Sequence, residues 1–224
     1  MLFDRCTIEM MKITILTLFP EYFQTPLRSS ILHRAQQKNL LDFSVINIRD
    51  YAHDPHHITD DRPYGGGAGM VMKVEPIAEA LEKLPVTANR YVILTSAKGN
   101  LFTQEKAQLF SEKEELIIIC GHYEGVDERV SEHLIDEEIR IGDYVLTGGE
   151  PASLVIADAV SRLLPGVLGN EESLDFESHT VSGVGAHPQY TRPEVFQGWQ
   201  VPPVLLQGNH KEIEKWRKEK KRKL

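Results

Sequence analysis

The run Leu116-Ile-Ile-Ile-Cys120 is apolar at every position. A strand with one wet face alternates with a period of two, so an unbroken β-rich run of this length belongs to a strand covered on both faces. That restricts the chain to architectures with helices above and below a parallel sheet. Its neighbours in sequence agree. Residues 12–18 alternate as a strand closed by Phe19-Pro20, and residues 29–38 carry Ile31, Leu32 and Ala35 at helical spacing. Asn39 is a helix stop, and residues 41–48 form a second strand. Residues 76–84 read as helix, 91–94 as a third strand, 116–120 as the fourth and 127–134 as a further helix. Thr103 is placed as an N-cap, with Lys106 where a capping box would need Glu. Strand and helix alternating in this way predict an α/β fold with a parallel sheet.

Strands 91–94 and 116–120, and a short strand carrying Ile139 and Ile141, run into glycine-bearing segments: Thr95-Ser-Ala-Lys-Gly99, Gly121-His-Tyr-Glu-Gly125, and Ile141-Gly-Asp-Tyr-Val-Leu-Thr-Gly-Gly149. Ligands of open α/β sheets bind beyond the carboxyl ends of the strands, so three such segments outline one pocket. Adjacent glycines let main-chain groups approach a ligand without a Cβ in the way, and they equally suit a tight turn. Glu150-Pro151 then opens a helix, where proline's fixed φ and missing donor fit the first turn. No segment has the Gly-x-Gly-x-x-Gly or Gly-x4-Gly-Lys-Ser/Thr spacing, which disfavours a dinucleotide or nucleoside triphosphate.

Residues 151–164 are apolar nearly all round, so this helix is expected to be buried under the sheet or against another subunit. Arg162 near its end either favours the helix C-terminal dipole or presents a fixed cation to an anionic site. The polar stretch 49–70 reads as a long loop, more often functional or mobile than decorative. Its His53, His56, His57, Asp60 and Asp61 lack helical pairing, so no metal site is assigned.

Hydrophobic content of 41% and charge of 26% are ordinary for a globular domain, and no run approaches the ~20 apolar residues that span a bilayer. Residues 1–10 do not read as a secretory signal and are taken as a possible extended start. Cys6 and Cys120 are the only cysteines, which suits a reducing cytoplasm rather than a disulfide framework. Net charge is −8, but residues 211–224 carry eight Lys/Arg against three Glu, a net of +5 that leaves −13 for the rest. A basic end on an acidic body can bind phosphates locally or be a solvated helix end.

Five segments, in order, resemble the bacterial tRNA (guanine-N1)-methyltransferase family: Asp60-Asp-Arg-Pro-Tyr-Gly-Gly-Gly-x-Gly-Met70, Cys120-Gly-x-Tyr-Glu-Gly-x-Asp-Glu-Arg129, Ile141-Gly-Asp-Tyr-Val-Leu-x-Gly-Gly-Glu150, Ser161-Arg-x-x-Pro-Gly-Val-Leu-Gly169 and Tyr190-Thr-Arg-Pro-Glu-Val195. The resemblance implies a deep trefoil-knotted, SPOUT-type parallel α/β domain over residues 11–169, a linker or lid over 170–189, and a short helical tRNA-binding domain over 190–224. It implies a homodimer, S-adenosylmethionine as donor and tRNA as substrate, with methylation at N1 of the guanosine immediately 3′ of the anticodon. The donor would be surrounded by Ser96, Gly99, Gly121, Tyr123, Glu124, Gly125, Ile141, Gly142, Asp143, Tyr144, Val145, Leu146, Gly148 and Gly149. Arg162 matches the catalytic arginine. The family's lid Asp-Ser pair falls on Glu177-Ser178, which makes Glu177 the expected base with Asp175 its rival. Asp60 and Gly69 are expected to touch the target guanosine or its 5′ neighbour.

This chain departs from the family in having Ala68 and Ala97 where proline is usual, His122 where arginine is usual, and a shorter region after Trp216. Two other readings follow: a catalytically weakened RNA-binding relative, suggested by the substituted base and the short C-terminus, and a knotted methyltransferase with another RNA target. The donor-loop glycines with Arg162 argue against the first, and the 60–70 loop argues against the second.

Overall fold

The computed structural model describes residues 10–170, 174 and 177–223. The chain divides into two units, Met1–Gly169 and Asn170–Leu224. In the first, the long elements are β1 (Met11–Thr17), α1 (Ser30–Gln37), β2 (Leu41–Asn47), α2 (Val74–Glu82), β5 (Arg90–Leu101), α3 (Gln104–Ser111), β6 (Glu115–Cys120), α4 (Glu128–His133), β7 (Glu137–Arg140) and α5 (Glu150–Ser161). Two short strands, β3 (Asp60–Asp61) and β4 (Val71–Met72), lie between β2 and α2. The sheet order is β2-β1-β6-β5-β7, with every pairing parallel.

All six residues of the central strand β6 are buried: the apolar run Leu116–Cys120, as a strand covered on both faces requires, and Glu115 ahead of it. Its alternation sorts them into two cores. Leu116, Ile118 and Cys120 join Ile13, Ile15 and Ile93, with Phe110 of α3 and Ile156 and Val160 of α5. Ile117 and Ile119 join Leu16, Val92 and Leu94 on the other face, with Ile77 and Leu81 of α2 and Val130 of α4. One buried carboxylate stands at the amino edge of the sheet. Glu115 accepts hydrogen bonds from Thr14 Oγ1 at 3.1 Å and Thr87 Oγ1 at 3.0 Å, with Lys12 Nζ at 3.4 Å. Pairing and hydrogen bonds of this kind are what make a buried charge tolerable.

Three segments differ from their sequence reading. Residues 95–99 are not a turn after a short strand: β5 runs on to Leu101, with a register break that leaves Thr95 and Asn100 both opposite Ile139. The glycine there serves a close approach, because a Cβ on Gly99 would lie 2.5 Å from the Glu138 carbonyl carbon. Residues 49–70 are not a structureless loop either. Asp54 accepts from the amides of His56 and Ile58, and β3 and β4 pair antiparallel, closing the segment into a hairpin. Asp54's carboxyl, although its surroundings push it up, is held below the usual range by these backbone donors. Thirdly, α5 ends at Ser161 rather than residue 164, and it lies under the sheet on one face while Val155 and Asp158 are exposed. Thr103 caps α3, accepting from the Lys106 amide.

The second unit has β8 (Val184–Gly185), a β9 (Val195–Phe196) and β10 (Trp199–Gln200) hairpin, α6 (His210–Lys220) and β11 (Arg222–Lys223). Residues 170–189, read as a linker or lid, contribute β8, which pairs antiparallel with the basic β11.

Phe110 is wholly buried between Tyr91, with ring centroids 5.3 Å apart, and Phe102, at 6.2 Å. Phe110→Ala should lower stability by about 3–5 kcal/mol in a urea titration; a loss below about 1 kcal/mol would mean that this core is not packed as described.

Candidate functional site

A cleft of about 480 Å³ opens at the carboxyl ends of β5, β6 and β7. That is within the size range of small-ligand sites, ~300–1,000 Å³. The segments forming it are held together by their backbones. The Gly121 amide donates to Thr95 Oγ1 at 3.2 Å, and the Thr95 hydroxyl donates to the Ile119 carbonyl at 3.1 Å. The Gly149 amide donates to the Gly121 carbonyl at 2.8 Å, which draws the chain arriving from β7 back across the end of β6. Space there is minimal. A Cβ on Gly149 would fall 1.9 Å from Thr95 Oγ1 and 2.9 Å from the Cys120 Cα.

The β3–β4 hairpin closes one side. The Glu124 amide donates to the Met70 carbonyl at 3.0 Å, the Met72 amide to Gly125 at 2.9 Å and the Asp127 amide to Met72 at 2.9 Å. Tyr123 has φ +57° and Gly125 φ +139°, so this segment turns sharply enough to expose main-chain groups to the cleft. Gly69, at φ +79°, lies against the Glu124 side chain, where its Cβ would be 2.4 Å from Cγ.

Acidic groups gather at the rim. Lys98 pairs with Glu128 at 2.5 Å and with Glu138 at 3.4 Å, and Ser131 also donates to Glu138. The hydrogen bond to Glu128 raises the Lys98 ammonium above its ordinary range. Asp127, the α4 N-cap, is held below the usual carboxylate range by Arg129, which donates from both Nε and Nη2. Arg140 Nη1 donates to the Gly99 carbonyl at 2.6 Å and ties β7 to the bulged end of β5.

Of the residues expected around the donor, Ser96, Gly121, Tyr123, Glu124, Gly125, Ile141, Gly142, Tyr144, Val145, Leu146, Gly148 and Gly149 line this cleft. Gly99 and Asp143 do not. Gly99 packs behind it against Glu138, and Asp143 points to solvent beside Arg140 at 3.0 Å. Thr95, Lys98, Glu138 and Ala152 line the cleft without having been expected around the donor, and so does His122, noted only as a departure from the family. Thr95 and Ala152 become visible only once the β5 bulge and the first turn of α5 are in place. Asp60 sits in β3 opposite Met72. Arg162 is half-buried at the C-cap of α5, and Gly149 is the N-cap of the same helix. Twelve helical residues separate the two, about 18 Å of rise, so Arg162 does not line this cleft. Glu177 belongs to the second unit and is half-buried; its carbonyl accepts from Thr180 Oγ1 at 2.9 Å. Asp175 lies outside the described residues.

The histidines of the hairpin region are engaged separately, His53 with Glu79 at 2.5 Å and His57 with the Arg49 carbonyl at 3.0 Å. Among the described residues no three His, Cys, Asp or Glu side chains are grouped to hold a metal, and no helix is long and apolar enough to cross a membrane.

Residues 11–224 match the family described as tRNA (Guanine-1)-methyltransferase TrmD. The chain belongs to that family. Curated relatives named tRNA (guanine-N(1)-)-methyltransferase extend along most of it. The protein of Carboxydothermus hydrogenoformans is 58% identical over 208 residues, which covers 93% of this chain and 81% of that one. A Dehalococcoides mccartyi relative is 56% identical over 212 residues, covering 93% and 84%. One from Halalkalibacterium halodurans is 53% identical over 211 residues, covering 93% and 85%. Two of the five segments quoted for the resemblance, 120–129 and 141–150, supply most of the cleft's lining.

Gly149→Ala should destabilise the fold by about 2 kcal/mol, because the added methyl meets backbone as well as the Thr95 hydroxyl. Thermal denaturation measures it, and an unchanged midpoint would contradict the close approach.

Proposed function

We propose that this protein methylates N1 of the guanosine immediately 3′ of the anticodon in tRNA, using S-adenosylmethionine bound in the cleft at the ends of β5, β6 and β7. The observation that carries this reading is that the three strand-end segments converge on one nucleoside-sized cleft in a chain belonging to this family.

The cleft fits that donor. Its walls combine apolar side chains, Ile141 and Leu146, with the main chain of residues 121–125 and 148–149. Backbone amides and carbonyls can read an adenine edge without any glycine-rich phosphate loop. Of the lining carboxylates, Glu128 and Glu138 are paired with Lys98, and Glu124 is the one that favours the cationic sulfonium. When bound, S-adenosylmethionine supplies an electrophilic methyl group.

Guanine N1 carries a proton at neutral pH, and as that proton leaves, negative charge spreads onto O6. A base and a cation are therefore required. Glu177 takes the N1 proton and Arg162 stabilises O6. Glutamate has the acidity of the family's aspartate to within a few tenths, ~4.3 against ~3.9, and reaches one methylene further. Asp60 and Gly69 contact the guanosine or its 5′ neighbour from the hairpin, and the target base leaves its stack to reach the cleft.

The working form is a homodimer. The distance along α5 is what supports it: the cleft and Arg162 stand at opposite ends of one helix, so a second copy is needed to bring an arginine to each cleft. The chain that follows edge strand β7 returns between the ends of β5 and β6 to enter α5 beneath the sheet, and the Gly149-to-Gly121 hydrogen bond marks that passage. This passage supports the deep trefoil knot, in which residues 11–169 form the catalytic domain, 170–189 a lid and 190–224 the tRNA-binding domain. In that last segment Tyr190, Trp216, Lys220, Lys221 and Arg222 border a shallow basic and aromatic groove, suited to stacking and phosphate contacts. The setting is the cytoplasm, where tRNA and reduced thiols are found.

Transfer of labelled methyl to a tRNA with guanosine 3′ of the anticodon, and none to the adenosine variant, is the expected result, with 1-methylguanosine in the digest. Glu177→Gln should lower kcat by about 10²–10⁴ while donor affinity stays within about twofold. Glu177→Gln retaining turnover, with Asp175→Asn abolishing it, would move the base to Asp175.

A further inference from the structure

Tyr64 is fully exposed, more so than any other large apolar side chain among the described residues. A lone exposed ring is ordinary on a protein surface, and its setting is what distinguishes this one. The ring stands at the corner of a four-residue turn, Pro63–Gly66, closed by the Gly66 amide donating to the Pro63 carbonyl at 3.3 Å. Proline fixes the backbone ahead of it, and Gly65, at φ +83°, takes the left-handed position behind it. Apart from chain neighbours, nothing would lie within 4 Å of a Cβ on Gly65 or Gly66, so the turn stands clear of the rest of the chain. Its base is held firmly. β3 pairs with β4, Met72 is wholly buried and bridges to Val126, and Gly69 lies against Glu124 of the cleft. Arg129, next in sequence to the cleft residue Glu128, interacts electrostatically with the Tyr64 phenol. The hairpin thus carries an aromatic ring on a fixed arm beside the cleft.

Charge does not select a phosphate here. Arg62 is exposed at the turn, but Asp60 and Asp61 precede it, and its amide donates to Asp61 Oδ1 at 2.7 Å. Arg129 is already paired with Asp127 at 2.7 Å. What the arm offers is a π-face, and a nucleobase of any identity can stack on such a face. The chemistry proposed for the cleft supplies an open base face. A guanosine that leaves its stack uncovers the bases on either side of it, which is unfavourable in water. An aromatic side chain on a rigid arm covers one of them at small entropic cost, because few torsions have to be fixed.

We propose that Tyr64 is a positioning residue that stacks on a nucleobase adjoining the target guanosine in the anticodon loop, taking the face that the displaced guanine uncovers. This rests on reading the protein as a tRNA methyltransferase whose target base enters the cleft. The arm fixes the neighbouring base, and the target is thereby presented at the cleft mouth. The ring rather than the hydroxyl makes the contact, so phenylalanine serves in its place and alanine does not. Tyr64 does not line the cleft, so the donor is held independently of it.

The test uses the full chain with S-adenosylhomocysteine and a tRNA anticodon stem-loop carrying 2-aminopurine, in turn, on the 5′ and the 3′ side of the target guanosine. This base is dim when stacked and bright when unstacked. At one of the two positions the complex with Tyr64→Ala should be brighter than that with wild type or Tyr64→Phe. Stem-loop affinity should fall about tenfold in Tyr64→Ala and stay within about twofold in Tyr64→Phe. Affinity for S-adenosylhomocysteine and sedimentation should be those of the wild type. Equal affinity and brightness for all three proteins, or a Tyr64→Phe as weak as Tyr64→Ala, would overturn the proposal. A change of subunit association in Tyr64→Ala would overturn it too, since a second copy would then be what covers the ring. Wild type that binds the stem-loop with the expected pattern yet transfers no methyl to tRNA would instead overturn the methylation reading and leave the stacking assignment standing. Wild type that does not bind the stem-loop would overturn both.

Discussion

The hydrogen bond from the Gly149 amide to the Gly121 carbonyl, 2.8 Å long, governs the rest of the structure. It forms only because neither residue has a side chain at the crossing, where a Cβ on Gly149 would collide with Thr95 and with the Cys120 backbone. Through it the chain leaving edge strand β7 is brought back over the central strand. Two consequences follow together. Helix α5 enters beneath β1 and β6 to complete one core, and the residues just before it become a wall of the cleft. Stability and ligand geometry thus share one backbone contact, which explains why the glycines here cluster rather than scatter.

The sheet was legible because burial leaves a direct trace in composition. β6 has no polar position between Leu116 and Cys120, and such a strand has to sit between two helical layers. The cleft was legible in outline, since a parallel sheet places its strand-end segments on one edge. What stayed hidden depended on contacts distant in sequence. The bulge in β5 reads as a turn because Gly99 and Asn100 are turn-prone, yet pairing with β7 and the reach of Arg140 to the Gly99 carbonyl keep it extended. The β3–β4 pairing consists of two residues on each side, too short for any periodicity to reveal. The approach of His122 to Glu150, twenty-eight positions away, leaves no local trace in the sequence either.

Functional groups divide by location. Those that would bind the donor are backbone atoms and apolar walls on rigid strand ends, while the proposed base lies in the separate unit Asn170–Leu224 and the proposed cation at the far end of α5. On the proposed reading, a preformed donor site with reacting groups supplied from elsewhere would let tRNA binding and subunit association complete the constellation, so that the activated methyl would meet its nucleophile only in the assembled complex. The acidic body and basic end of the chain suit that division, since a net charge of +5 is concentrated at residues 211–223.

The central claim is that one cleft, built from three strand ends, holds the methyl donor. Amide hydrogen exchange with and without S-adenosylhomocysteine tests it most directly. The account predicts slowed exchange in residues 95–99, 121–126 and 141–149, with α1, α3 and the amino edge of the sheet unchanged. Protection confined to other segments, or none at saturating ligand, would contradict it.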